Sequence, residues 1–408
     1  MNLSLLCSFQ AWRRLGNRIL LFVSVAALAV QCQIASPNLE SIDMDFKLQG
    51  EYLGTLGMAG DTLGVQVVAN GDGRFTAVFL AGGLPGKGWN GTGRIDQKGT
   101  RLSDGTVNFP ATDTTLEYSA KISSDGFTLS GKTPSQKSFS LSKNLRESPT
   151  LNQQPPLGGK VLFNGVDLKS FLDGTASLKD SLLFPIGSAA TGATTIQSFG
   201  DFTMHVEFLE PFMPANTGQG RGNSGIYLQG RYELQILDSF GLNILRNGDG
   251  PATQECGAFY QLLKPTVNMS FPPLSWQTYD IEFSKAKFDV QGKNILDPAM
   301  VTVRQNGVII HDHEKLLSNT LLGDSVKDTD GPIRFQSHGD SVYFRNIWIV
   351  SGAGVGIHTP LSKQSGRNKN GFYSDLLSID GRRIDKSPFN GYYINSDLKG
   401  TTPTLMRE

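Results

Sequence analysis

Residues 221–239, which read RGNSGIYLQGRYELQILDS, combine acidic, amide and phenolic side chains at spacings that could serve chemistry on a polar substrate. Because side chains along a strand alternate between two faces, Tyr227 and Gln229 share one face of a first strand. Glu233 and Gln235 share one face of a second strand in the same way. The pattern predicts a sheet with one apolar and one polar face, and we interpret the polar face as a binding surface.

A hairpin is expected to join these two strands. A three-residue loop over residues 230–232 would place Gln229 opposite Glu233, so that polar side chains pair with polar ones. A two-residue Gly-Arg turn would instead set polar against apolar side chains. We therefore predict the three-residue loop, with Tyr227 opposite Gln235.

Asp238 interrupts the alternation. Strict register would put its carboxylate on the buried face, which is energetically costly. A bulge near residues 236–237 would return Asp238 to the polar face with Glu233, and bulges are common beside active sites. Glu-x-Gln-x-x-Asp would then set two carboxylates over one groove, a pair suited to proton transfer. The alternative is that Asp238 ends the strand and caps a turn with Ser239.

Other polar residues stand on predicted strands or at their ends. Glu207 lies on the polar face of a strand over residues 202–209, and Gln336 and His338 lie at the end of GPIRFQSHG. The alternative for His338 is a turn histidine bonded to backbone. Arg345, in the strand FRNIWI, is open to a purely structural interpretation, in which it ties strand ends together.

The sequence predicts no metal site. His311, His313 and Glu314 stand close together, but their i, i+2 spacing at a strand end suits zinc poorly. No cofactor is required by any motif, and a divalent cation elsewhere in the groove stays open. Cys256 is expected to be a small buried residue, since three cysteines, one of them in a predicted leader, provide no disulfide framework.

The elements around this stretch are short strands separated by turns, in a chain of 408 residues with 47 glycines. Such a chain is expected to hold two domains, and almost no helical periodicity is present. We predict an all-β protein: a concanavalin-like jelly-roll sandwich preceded by a smaller β-barrel or sandwich domain. The predicted boundaries are an accessory domain over 43–145, starting with a strand at 46–53, a linker over 146–159, the jelly roll over 160–350 and a polar tail over 351–408.

Residues 1–29 predict a secretory signal peptide. Three arginines precede an apolar run at residues 19–29, which ends in a small-x-small pattern. The run is too short for a stable membrane span, so we expect export to the periplasm or the exterior. Lipoprotein anchoring at Cys32 is a weaker alternative, because Gln31 stands where a small residue is wanted.

Charge excludes some partners. Without residues 1–29 the chain has 34 basic and 37 acidic residues. This slight negative balance predicts binding neither to nucleic acid nor to an anionic membrane. The oligomeric state is left open by the sequence.

The second domain resembles the 3-keto-disaccharide hydrolase domain family, long known only as a domain of unknown function. The N-terminal domain resembles, more weakly, the extra β-domain of some members. The matching segments cover nearly all of residues 160–350: LFNGVDL, FGDFTMHVEF, RGNSGIYLQGRYELQILDSFG, CGAFY, WQTYDIEF, QNGV, GPIRFQSHG and FRNIWI.

The resemblance implies the jelly roll that laminarinase-type glucanases also use, where a strand carries Glu-x-Asp-x-x-Glu. Here Gln235 replaces the middle acid, and Asp238 is the last carboxylate. Ser337 stands where the family usually has Asp, and Leu209 where it usually has Arg. These departures argue against direct retaining hydrolysis, which needs two carboxyl groups about 5 Å apart.

The family name implies another route, for which the substrate is an oligosaccharide or a 3-keto-glycoside. A ketone at C3 of a sugar acidifies the C2 hydrogen, so a base can remove it and the C1 oxygen can leave; water then adds. We assign Glu233 or Glu207 as base and Asp238 or His338 as second proton carrier. The predicted substrate-binding residues are Arg221, Asn223, Tyr227, Gln235, Gln336 and Arg345.

Two other functions stay open. A carbohydrate-binding module without catalysis would share the fold and the polar groove. A surface scaffold would use the accessory domain and the polar tail and leave the groove idle.

Overall fold

The computed structural model describes residues 44–56, 60–242 and 252–352. Within these ranges the chain forms a closed β-barrel followed by two large sheets. The prediction of an all-β fold is therefore confirmed. The predicted signal peptide, Cys32 and nearly all of the polar tail lie outside the described residues. No helix in the described ranges has the length and apolar character needed to cross a bilayer.

The barrel closes because its first strand pairs with both the second and the eighth. Leu48, at the end of the short helix α1 that precedes it, is fully buried in the barrel core. The helix and strands are α1 Met44–Leu48, β1 Gly50–Leu56, β2 Asp61–Ala69, β3 Arg74–Ala81, β4 Arg94–Arg101, β5 Val107–Phe109, β6 Ser119–Ile122, β7 Thr128–Lys132 and β8 Ser138–Asn144.

The strand predicted over residues 46–53 is wrong in its first half, which forms α1. The helix is tied to the barrel through Asp45, whose carboxylate accepts a hydrogen bond from the Gly73 amide at 2.8 Å and pairs with Arg101 at 3.0 Å. The turn at residues 70–73 joins β2 and β3, with Asp72 and its neighbouring glycines at positive φ.

Two sheets form the sandwich, and their apolar faces enclose one core. The first sheet has the order β10-β11-β22-β13-β16-β19-β20, with β9 also paired to β22. Its strands are β9 Lys160–Phe163, β10 Ala176–Lys179, β11 Leu182–Pro185, β13 Phe202–Leu209, β16 Trp276–Ser284, β19 Ala299–Gln305, β20 Val308–Leu316 and β22 Tyr343–Ser351.

The second sheet has the order β12-β21-β14-β15. Its apolar face includes Ile226 and Leu234, which are opposite one another and fully buried. A small ribbon of β17 and β18 completes the strands. The bounds are β12 Gly192–Phe199, β14 Ser224–Leu228, β15 Tyr232–Ile236, β17 Lys287–Phe288, β18 Ile295–Asp297 and β21 Gly331–Gln336.

The hairpin between β14 and β15 has the predicted length but another register. Leu228 is opposite Tyr232, and Tyr227 is opposite Glu233, so the loop consists of residues 229–231. The prediction that Gln229 faces Glu233 is wrong, because the Tyr232 ring is part of the core, 5.8 Å from the ring of Phe283. The pairing differs from the predicted one by two residues, so Tyr227, Glu233 and Gln235 keep their predicted face. Gln229 instead lies in the loop, with φ 55° and its side chain bonded to the Phe199 carbonyl.

The segment predicted as a linker lies against the sandwich. The Asn152 amide donates a hydrogen bond to Glu207, and the Trp348 indole donates to the Gln153 carbonyl at 2.9 Å. Arg146 forms an ion pair with Glu51 on the barrel. Residues 146–153 therefore connect the two bodies through specific contacts.

Candidate functional site

A small polar cavity of about 50 Å³ lies over the polar face of the second sheet. Strand β15 contributes Glu233 and Gln235, strand β21 contributes Gln336, and loops contribute the other walls. The residues that line it are Ala189, Gln219, Asn223, Glu233, Gln235, Tyr260, Leu321, Leu322, Gln336 and His338.

Glu233 is the acid–base candidate of this cavity. Its residue is 3% exposed, and Gly225 on the neighbouring strand leaves the space that the carboxyl group fills, since a Cβ there would clash with Glu233 Oε1. Burial raises the pKa of Glu233 to about 7, although a hydrogen bond from Tyr227 and the charge of Arg334 lower it. A carboxyl group with this pKa can both accept and return a proton near neutral pH.

Tyr227 positions that carboxyl group. Its hydroxyl lies 2.9 Å from Glu233 Oε2 and 3.0 Å from the Leu321 carbonyl oxygen. The Arg334 guanidinium lies over its ring at 4.0 Å. Burial raises the pKa of Tyr227 far above its usual value, so the hydroxyl stays protonated and donates.

Three amide side chains form a floor of hydrogen-bond acceptors. Their amide nitrogens are occupied: those of Asn223 and Gln235 donate to Gln219 Oε1 at 3.2 and 3.0 Å, and that of Gln336 donates to the Ala189 carbonyl at 3.0 Å. The three amide oxygens have no partner among the described residues. Buried polar atoms are normally bonded, so these oxygens are suited to sugar hydroxyl donors.

The rim of the cavity carries side chains that can donate. His338 is exposed there, and Tyr260 lies across the cavity, where burial and the charge of Glu233 raise its pKa. Asp340, two residues after His338, accepts a hydrogen bond from the main-chain N–H of Asn223 at 2.7 Å. Burial raises the pKa of Asp340, and the charge of His338 opposes this shift.

Asp238 does not join Glu233, so the predicted pair of carboxylates over one groove is not formed. Strand β15 ends at Ile236, and Asp238 forms a buried ion pair with Arg221 at 2.6 Å. Its other oxygen accepts from the Phe240 amide at 3.3 Å, as the alternative of a strand end with a capped turn predicted. Neither Asp238 nor Arg221 lines the cavity. The physical reason is that the Arg221 guanidinium neutralises this carboxylate inside the protein.

Glu207 and Arg345 lie on the outer face of the first sheet, not in the cavity. They form an ion pair at 2.6 Å, and Asn346 also donates to Glu207 at 2.9 Å. Burial raises the pKa of Glu207, but hydrogen bonds from His205 and Asn346 and the charge of Arg345 lower it overall. This carboxylate holds residues 146–153 against the sheet.

The His311 region does not gather metal ligands. The His311 side chain is buried and bonded to the Gly257 carbonyl at 2.7 Å, and burial lowers its pKa to about 4. His313 is exposed. Within residues 44–56, 60–242 and 252–352, no three His, Cys, Asp or Glu side chains are placed to hold a metal ion.

Sequence reasoning therefore placed five of its candidates in the cavity and a sixth, Tyr227, beside it, and missed three further residues. Gln219, Tyr260 and Asp340 had no assigned role; Gln219 sits in a 3-10 turn without any pattern, whereas the CGAFY segment could have drawn attention to Tyr260. The five candidates are Asn223, Glu233, Gln235, Gln336 and His338, with Tyr227 directly behind Glu233.

Comparison with known proteins places this sandwich in a family. The sequence model of the 3-keto-alpha-glucoside-1,2-lyase-like domain matches residues 158–350. A crystal structure of a candidate glycosyl hydrolase from Parabacteroides distasonis ATCC 8503 is 34% identical, with a TM-score of 0.41; the match covers 48% of this chain and 84% of that one. No curated protein matches the chain.

Two more distant structures show weaker likeness. A second candidate glycosyl hydrolase from the same organism is 18% identical, covering 48% of this chain and 94% of that one, with a TM-score of 0.34. A Trypanosoma rangeli sialidase is 9% identical, covering 73% of this chain and 50% of that one, with a TM-score of 0.27.

The sequence match indicates a glycoside hydrolase-like enzyme with a carbohydrate substrate. More specifically, the chain belongs to the 3-keto-disaccharide hydrolase family, through its 3-keto-alpha-glucoside-1,2-lyase-like domain.

Proposed function

We propose that this protein cleaves the glycosidic bond of 3-keto-glycosides, including 3-keto-disaccharides, by elimination followed by hydration. The observation that carries the proposal is the buried Glu233, whose pKa is raised to about 7 beside three amide oxygens with no partner among the described residues. The amide oxygens suit the hydroxyl groups of a sugar, and the carboxylate suits a proton next to a ketone.

In the first step Glu233 removes the C2 hydrogen as a proton, and the C2–H electron pair forms the enolate of the C3 ketone. A carboxylate of ordinary strength can do this when donors stabilise the enolate oxygen. Tyr260 and His338 are the donors that the cavity offers. The enolate then collapses, a C1=C2 double bond forms, and the C1–O bond breaks.

The leaving oxygen takes a proton, which protonated His338 at the exposed rim can supply. Water then adds its hydroxyl to C1 of the enone and gives its remaining proton to His338, while Glu233 returns its proton to C2. The net change is addition of one water molecule across the glycosidic bond, with no oxidant or reductant consumed. Glu233 thus ends in the state in which it began.

Direct retaining hydrolysis fits this cavity poorly. It needs a second carboxyl group about 5 Å from the first, and Glu233 is the only carboxylate among the described residues that line the cavity. The lyase in the description of the matched family also favours elimination between C1 and C2. We further propose export to the periplasm or exterior, on the signal pattern of residues 1–29.

The test is incubation with 3-keto-trehalose or 3-keto-sucrose, with detection of 3-keto-glucose and of an enone intermediate. In D2O the enzyme should introduce deuterium at C2 faster than the uncatalysed exchange. Glu233→Gln should abolish both, whereas Glu314→Gln, a carboxylate on β20 of the first sheet, should leave both unchanged.

Binding without any product from oxidised disaccharides would refute the catalytic proposal and favour a carbohydrate-binding module. Product formation without deuterium at C2 would refute the elimination route alone. Full activity of Glu233→Gln would refute the assignment of the base.

A further inference from the structure

The loop of residues 211–220 lies between the barrel and the cavity. One part of it contacts the barrel, and its end carries Gln219 into the cavity wall. No group on this loop reacts in the proposed chemistry. The question is what the contact with the barrel does for the site.

Phe212 anchors the start of the loop in the barrel. It packs against the barrel core, with its ring 5.3 Å from the ring of Phe46 in an edge-to-face arrangement. Further along, Ala215 lies directly against Gly71 of the β2–β3 turn, where a Cβ on the glycine would come within 3.2 Å of the Ala215 Cα. The loop and the barrel therefore fit closely.

Arg221 closes the loop onto the barrel. Its guanidinium donates to the Ala69 carbonyl of β2 at 3.3 Å, and to the loop carbonyls of Pro214 at 3.3 Å and Asn216 at 3.4 Å. Its remaining nitrogen, Nε, pairs with Asp238 at 2.6 Å. One side chain thus joins barrel, loop and the end of β15.

Gln219, at the far end of this loop, sets the orientation of two amides in the cavity floor. Its Oε1 accepts from both Asn223 and Gln235, and its own nitrogen donates to the Gln254 carbonyl at 2.9 Å. Because an amide group presents its oxygen opposite its nitrogen, these bonds turn the oxygens of Asn223 and Gln235 away from Gln219. The Asn223 side-chain nitrogen also donates to the Gln219 main-chain carbonyl at 2.8 Å, and that of Gln235 to the Gln254 carbonyl at 3.4 Å. Displacement of the whole Gln219 residue would therefore release Asn223 and leave Gln235 with only its longer bond.

We infer that the barrel supports the carbohydrate site from outside: it holds residues 211–220 so that Gln219 orients the acceptor amides of the cavity floor. Arg221, Phe212 and Gln219 are positioning residues in this inference, which rests on the proposed function only for the identity of the ligand. The barrel contributes no residue to the cavity itself, so its effect should fall on binding and not on proton transfer.

The first experiment compares Phe212→Ala with Phe139→Ala in the full chain. Phe139 is buried in the barrel core against Phe79 and Tyr118, so its loss weakens the barrel without touching the loop. The main-chain N–H of Asn223 is bonded to the Asp340 carboxylate. Its hydrogen exchange should rise several-fold in Phe212→Ala and stay unchanged in Phe139→Ala. Equal exchange in both variants would overturn the inference that the barrel holds residues 211–220 in place. This measurement needs no substrate.

The second experiment measures binding of 3-keto-sucrose by calorimetry in the Glu233→Gln background, and KM and kcat in the active enzyme. Gln219→Ala should raise Kd and KM about tenfold, the effect of one or two lost hydrogen bonds, with kcat changed little.

The outcomes separate the two proposals. If either Gln219→Ala or Phe212→Ala leaves binding unchanged, the inference is overturned. The wild-type protein could cleave no 3-keto-glycoside while the two variants still differ in hydrogen exchange at Asn223. In that case the proposed function fails, but the inference that the barrel positions residues 211–220 stands.

Discussion

Tyr227→Phe should move the pH dependence of catalysis in a direction that the structure fixes. The Tyr227 hydroxyl donates to the Glu233 carboxylate at 2.9 Å, and this bond lowers the pKa that burial raises to about 7. Phenylalanine removes the donor but keeps the ring beneath Arg334, 4.0 Å from the guanidinium. The pKa of Glu233 should therefore rise further.

The magnitude follows from the hydrogen bond. A bond to a charged group contributes about 1.5–3 kcal/mol, and one pKa unit corresponds to about 1.4 kcal/mol. Because the Tyr227 hydroxyl also lies 3.0 Å from the Leu321 carbonyl, we take the lower end, a rise of about one unit. Since the base must be deprotonated, kcat/KM should fall about tenfold at pH 6 and hardly at all at pH 9.

The assay is the pH profile of kcat/KM on a 3-keto-disaccharide. The acidic limb of the wild-type profile should have its midpoint at about 7, the raised pKa of Glu233, and that of the variant should lie about one unit higher. Tyr343→Phe is the matched control, since its hydroxyl lies 3.0 Å from Lys179 Nζ on the first sheet. Identical profiles for Tyr227→Phe and wild type, or a shift to lower pH, would refute the reasoning.

Three further substitutions test other parts of the structure. The pKa of Glu233 rises from 4.5 to about 7 on folding, so its ionisation opposes folding at high pH. Glu233→Gln should therefore raise the free energy of unfolding by about 3 kcal/mol at pH 8. Urea unfolding should show this gain at pH 8 and none below pH 4.5. Asp238→Asn leaves Arg221 without its buried counter-charge and should lower the free energy of unfolding by about 3 kcal/mol. The variant should therefore unfold at a lower temperature, while the pH profile of kcat/KM stays unchanged. Glu207→Gln loosens residues 146–153, so limited proteolysis should cut there faster, while unchanged cutting would contradict the docking role.

Local periodicity was enough to predict the faces of the strands. Tyr227, Glu233 and Gln235 share one face because a strand alternates its side chains whatever lies elsewhere in the chain. The hairpin register could not be obtained in this way, since burial of the Tyr232 ring against Phe283 decides it.

Whether a charged residue lies in the cavity or in an ion pair depends on partners far away in the sequence. Asp238 and Glu207 looked like candidates for the groove, yet each is neutralised by an arginine, Arg221 and Arg345 respectively. Arg221 in turn bonds to Ala69, a barrel residue 152 positions away. A carboxylate in a sequence therefore reveals that a charge must be compensated, but only the fold reveals whether a protein side chain or a substrate does so.

A single carboxylate in the cavity is consistent with the chemistry once the substrate carries its own ketone. An ordinary glycoside requires the enzyme to stabilise positive charge at C1, which is why glycosidases use two carboxyl groups. A C3 ketone instead turns the developing charge negative and places it on oxygen, so the site needs one base and several donors. Glu233 with its raised pKa, and Tyr260 and His338 at the rim, meet that smaller requirement. Asp238 is held in an ion pair with Arg221 and is not available to the cavity. The proposed reaction does not need this second carboxylate.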